Sequence, residues 1–156
     1  MKIKTKISLI IGSAFILGSC IKDDQFSEVP VIKFKEYQTF LSSDLQVDSA
    51  KYVFSFQDGD GDIGRDDLSE VDCFLIYQEK NGGQVTNFPN VPNREYNLPK
   101  LTPNAKDKSI EGEITLILKP APIFNILTDS AYRYACYIID RAGNESDTIY
   151  SSWTSK

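Results

Sequence analysis

From residue 29 onward, apolar positions alternate with polar ones instead of recurring every three or four, and β-branched and aromatic runs end at turn formers. The clearest run is 110–118: Ile110, Ile114, Leu116 and Leu118 fall on one side, with Glu111, Glu113 and Thr115 on the other. The same signals predict strands over 29–37, 52–57, 71–78, 110–118, 133–140 and 146–153. Asn81-Gly82-Gly83 predicts a hairpin turn. Pro89, Pro92, Pro99 and Pro103 leave room for only one short strand, near 94–98, in the stretch 87–108. Pro120 and Pro122 end the fifth strand, and a helical turn is predicted within 123–130. Six or seven such strands in a single domain, 29–156, predict an all-β fold, an antiparallel β-sandwich.

The last hairpin supports this. Tyr132-Arg133-Tyr134-Ala135-Cys136-Tyr137-Ile138-Ile139 runs into Asp140-Arg141-Ala142-Gly143-Asn144-Glu145-Ser146. That pattern resembles the penultimate strand and final loop of fibronectin type III and bacterial Ig-like domains, and implies their sandwich fold. Gly143 and Asn144 suit the turn because both tolerate positive φ.

The N-terminus reads as an address. Lys2, Lys4 and Lys6 precede the apolar stretch 7–17, which ends in Leu17-Gly18-Ser19-Cys20. Such a charged region, short apolar region and small-residue cleavage site mark residues 1–19 as an export signal. Residues 17–20 resemble the bacterial lipobox, which implies cleavage before Cys20 and lipid on its thiol. The following Lys22-Asp23-Asp24 resembles the sorting signal of Bacteroidetes lipoproteins destined for the cell surface. The same polar stretch, 20–28, would also serve as a solvated tether. Outer-membrane anchoring is expected, with either face open.

Removing 19 of the 156 residues takes away three lysines and no acids, so 137 residues remain and the net charge moves from −5 to −8. One core suffices for that length. The acidity argues against nucleic-acid binding, which needs a basic footprint. It also leaves membrane attachment to the acyl chain. A hydrophobic fraction of 41% with 12% aromatics argues for a folded chain. The chain has no histidine, which removes histidine-based triads and His-containing zinc sites. Cys73 and Cys136 sit in apolar runs, as either a disulfide or two buried thiols.

The sharpest motif is Phe56-Gln57-Asp58-Gly59-Asp60-Gly61-Asp62-Ile63-Gly64-Arg65-Asp66-Asp67. Carboxylates alternating with glycines can wrap oxygens around a hard cation such as calcium. The EF-hand pattern fits in neither register. Counting from Asp58 sets Ile63 where glycine is required and Ser69 where the bidentate acid belongs; counting from Phe56 aligns Gly61 and Asp67 but puts a phenylalanine at the first ligand. An aromatic strand feeding Asp-Gly-Asp-Gly-Asp-Ile-Gly also resembles a recurring feature of small Bacteroidetes lipoproteins. A polar turn held by Asx hydrogen bonds is the competing reading. In a sandwich this loop and the 140–145 turn emerge at one end, so the candidate calcium ligands are Asp58, Asp60, Asp62, Asp67, Asp140, Asn144 and Glu145. The first strand starts at that end too, which places the site near the anchor.

No nucleophile elbow, phosphate loop or Cys-x-x-Cys motif is present, and no catalytic residue is assigned. The expected role is a non-enzymatic binding or structural module with a glycan or protein partner. An enzyme or enzyme inhibitor acting on surface glycans or proteins is the alternative. A glycan would require exposed rings, for which Trp153, Tyr37, Tyr77, Tyr96, Tyr137 and Tyr150 are the candidates.

Overall fold

Alternating apolar residues become strands because only a sheet places every second side chain on one face. The computed structural model describes residues 26–41, 47–67, 69–87, 94–101, 109–119 and 131–155. The export signal, Cys20 and the helical turn expected within 123–130 lie outside them.

The strands are β1 (Val31–Leu41), β2 (Val47–Asp58), β3 (Cys73–Asn81), β4 (Gln84–Asn87), β5 (Arg94–Tyr96), β6 (Ile110–Leu118), β7 (Ala131–Ile138), β8 (Ile149–Tyr150) and β9 (Thr154–Ser155). No helix occurs among the described residues, and antiparallel sheets pack into an all-β sandwich. One sheet runs β1-β2-β6; the other runs β4-β3-β7-β8, with β5 beside β3 and β9 beside β7. Gly82 and Gly83 turn the β3–β4 hairpin with positive φ of 55° and 95°.

The register puts Ala50, Tyr52 and Phe54 opposite Leu118, Leu116 and Ile114 on the inner face of the first sheet. Tyr77, Tyr132 and Tyr134 face them from the second. Tyr37 bridges the layers, with ring centroids 6.1 Å from Tyr132 and 5.6 Å from Tyr134. Each ring that leaves water contributes about 2 to 3 kcal/mol, so this aromatic layer holds the sandwich together. Cys73 and Cys136 are buried free thiols on the inner face, in pairs two positions apart in the β3–β7 register.

The final strand departs from expectation. Instead of one run over 146–153, short β8 and β9 flank β7, and two serines replace parts of the ladder. Ser146 Oγ accepts the Ile138 N–H at 3.1 Å and Ser151 Oγ accepts the Tyr134 N–H at 3.0 Å. A hydroxyl that takes a strand N–H displaces its own backbone carbonyl from that bond.

Candidate metal centre

β2 ends on Asp58, still paired with Ile110, and the chain then turns sharply. Ile63, 1% exposed, anchors the loop in the core. Gly61 and Gly64 take positive φ of 72° and 77°. Gly59 is demanded by a neighbour from far away in sequence: a Cβ there would lie 2.3 Å from the Phe26 carbonyl oxygen. Its N–H donates to Ser27 O at 2.8 Å. The segment entering β1 therefore packs directly on the acidic loop.

The 140–145 turn reaches the loop from the other sheet. Ala142 N–H donates to Asp62 Oδ2 at 2.9 Å and Arg141 N–H to Asp62 O at 3.3 Å. Arg141 Nη1 donates to the Gly64 carbonyl at 2.6 Å. That guanidinium orders the loop backbone, and the sequence pattern did not single it out.

These contacts bring Asp58, Asp62 and Asp140 together. One carboxylate oxygen of each lies within 4.8 Å of the others. Oxygens that share one calcium at 2.3 to 2.6 Å can stand at most about 5 Å apart, so the spacing suits that ion. Asp58 and Asp140 are fully buried. Asp58 Oδ2 accepts the Asp62 N–H at 2.8 Å, and Asp140 accepts from the backbone N–H and side-chain amide of Asn144 at 2.7 and 2.9 Å. The second oxygens of Asp58 and Asp62, with one from Asp60, are buried and have no hydrogen-bond partner among the described residues. Turn chemistry thus accounts for one oxygen of Asp58 and of Asp62 and leaves the other without a donor.

Electrostatics agrees with the geometry. Burial, with the charges of Asp60, Asp62 and Asp140, pushes the Asp58 carboxyl up to about 6, against the pull of the Asp62 N–H. Burial and the charges of Asp140 and Asp60 also raise Asp62, while the Ala142 N–H and Arg141 pull it down. Crowded carboxylates repel one another, and a cation placed among them would relieve that repulsion.

The other expected ligands stand elsewhere. Asp67 is exposed and its Oδ1 accepts the Ser69 N–H at 2.9 Å, which holds its carboxyl below the ordinary range. Glu145 is exposed, in a bridge with Ile139. Asn144 acts by gripping Asp140. Among the expected aromatics, Tyr77 is buried in the core, and Tyr37 and Tyr96 are half-buried against it. No family model matches the chain, and no curated protein or solved structure matches it.

Proposed function

We propose that this chain is a non-catalytic accessory module of the cell envelope, anchored in the outer membrane by lipid on Cys20 and stiffened at its base by one calcium ion. The observation that carries the reading is the triad of buried Asp58, half-buried Asp62 and buried Asp140, with the Oδ1 atoms of Asp58, Asp60 and Asp62 buried and unpartnered among the described residues. A buried carboxylate oxygen without a donor costs one to several kcal/mol, and a divalent ion removes that cost for all of them together.

The position of the site supports a structural role. The loop binds Ser27 through Gly59, and Asn144 Nδ2 reaches the Glu28 carbonyl at 3.5 Å. Only residues 21–25 separate that segment from Cys20. A cation here would fasten loop, turn and tether entry to one another. Nothing in the triad resembles a catalytic pair: its acids crowd one point, whereas paired glycosidase carboxylates stand apart on either side of a substrate.

The test is thermal unfolding with calcium and with chelator. Calcium at a hundred times its dissociation constant adds about 2.7 kcal/mol if it binds only the folded state. Converting Asp58, Asp60 and Asp62 to Asn should abolish the difference. Identical melting curves in the two conditions would rule out the calcium role.

A further inference from the structure

The outer face of the second sheet carries a stripe whose charges are sorted by sign. At one end, Arg133 lies between Tyr150 and Trp153, with its guanidinium carbon 4.1 and 4.5 Å from the ring centroids. Its Nε donates to Gln78 Oε1 at 2.7 Å, and Gln78 Nε2 donates to Asn87 Oδ1 at 2.8 Å. Among the described residues, neither terminal amino group of the fork has an acceptor and no carboxylate pairs with it. At the other end, Phe74 and Tyr137 stack at 4.8 Å and 11°. Glu95 sits opposite Phe74, and Glu145 bridges to Ile139, two residues beyond Tyr137. Neither acid has an ion-pair partner among the described residues. Between the ends lies the apolar pair Ile76 and Ala135.

This arrangement is self-complementary. A two-fold axis lying in the interface across the strands, at Ile76 and Ala135, sets each strand end against the opposite end of its copy. The pairs Gln78–Arg133 and Phe74–Tyr137 are equally spaced on either side of that axis. We propose that this face pairs with the same face of a second copy of the chain, so that Arg133 of each copy meets the Glu145 and Glu95 end of the other. A rigid Arg fork held flat by two rings is suited to a carboxylate.

Two further features favour a protein surface over a sugar as the occupant. Sugar stacking needs an open ring face, whereas Phe74 and Tyr137 each spend one face on the other and Arg133 takes one face each of Tyr150 and Trp153. Trp, Tyr and Arg are also the residues that dominate protein interfaces, and the only tryptophan of the chain is here. β3 and β7, with the short β4 and β5 along one edge and the short β8 and β9 along the other, make a face about four strand-widths across and about 30 Å long, roughly 600 Å² per copy. The total, near about 1,200 Å², is the lower edge of specific interfaces, so the dimer is reversible.

The test cross-links purified full-length protein in mild detergent with a short bismaleimide. Ile76→Cys, at the axis, should give a cross-linked dimer, whereas wild type and Lys33→Cys, on the outer face of the other sheet, should not. Arg133→Glu in the Ile76→Cys background should cut the dimer by about ten-fold or more, since it sets like charges together. Adding Glu145→Arg should restore it, a rescue that a merely misfolded variant would not show. If Ile76→Cys yields no more dimer than Lys33→Cys, the face takes some other occupant and the proposal falls. Failure of the charge swap to rescue would overturn the stated pairing.

Discussion

Neutralising Asp58 should stabilise the metal-free protein and destabilise the calcium-loaded one. Without metal, this fully buried carboxyl is raised from an ordinary 3.8 to about 6. An acid whose folded pKa is the higher one keeps its proton better when folded. Its contribution to stability is therefore fully present below about pH 4, is lost as pH rises through about 6, and stays lost at neutral pH. The gap corresponds to about 3 kcal/mol, and Asp62, raised for the same reasons, acts in the same direction. In chelator at pH 7.5, Asp58→Asn removes the charge, so its Tm should rise by up to about 10 °C, at roughly 3 to 4 °C per kcal/mol for a domain of this size. In saturating calcium the same substitution deletes a ligand, and the variant should melt below wild type. Differential scanning calorimetry of both proteins in both conditions, repeated at pH 5, provides the assay. At pH 5 the chelator advantage should shrink, because wild-type Asp58 is then protonated. A variant that melts below wild type by the same amount with and without calcium would show that the Asp58 charge neither strains the metal-free fold nor binds the ion.

Two other outcomes are expected. Gly59→Ala drives a Cβ into the Phe26 carbonyl, so it should destabilise by about 1 to 3 kcal/mol in denaturant titration and expose residues 26–30 to proteolysis. Cys20→Ser should leave the protein unlipidated and either soluble or uncleaved; intact-mass analysis of membrane and soluble fractions reads the result, and an unmodified mature N-terminus at another residue would count against the anchor.

Much of the sandwich is legible in the sequence because strand alternation is local. In β6 the core-facing side is the one the pattern marks, and Gly82-Gly83 makes the hairpin it signals. The meeting of the acidic loop with the 140–145 turn follows from topology, since both leave the sandwich at one end. Long-range constraints are not readable in this way. Gly59 looks like one more loop glycine until the Phe26 carbonyl is seen against it. Arg141 is one cation in a polar turn, and only the fold carries its guanidinium to the Gly64 carbonyl. Asp67 matches a ligand position in one numbering of the loop, yet the chain spends it on Ser69. The break between β8 and β9 is hidden because a serine hydroxyl that replaces a ladder acceptor leaves the apolar pattern nearly unchanged.

Crystals grown with calcium would reveal an ion among the three carboxylates. An anomalous peak is expected between Asp58, Asp62 and Asp140, with carboxylate oxygens at about 2.3 to 2.6 Å and six to eight oxygens in the shell. A water or a side-chain cation at that point, with calcium in excess in the crystal and no anomalous signal, would contradict it.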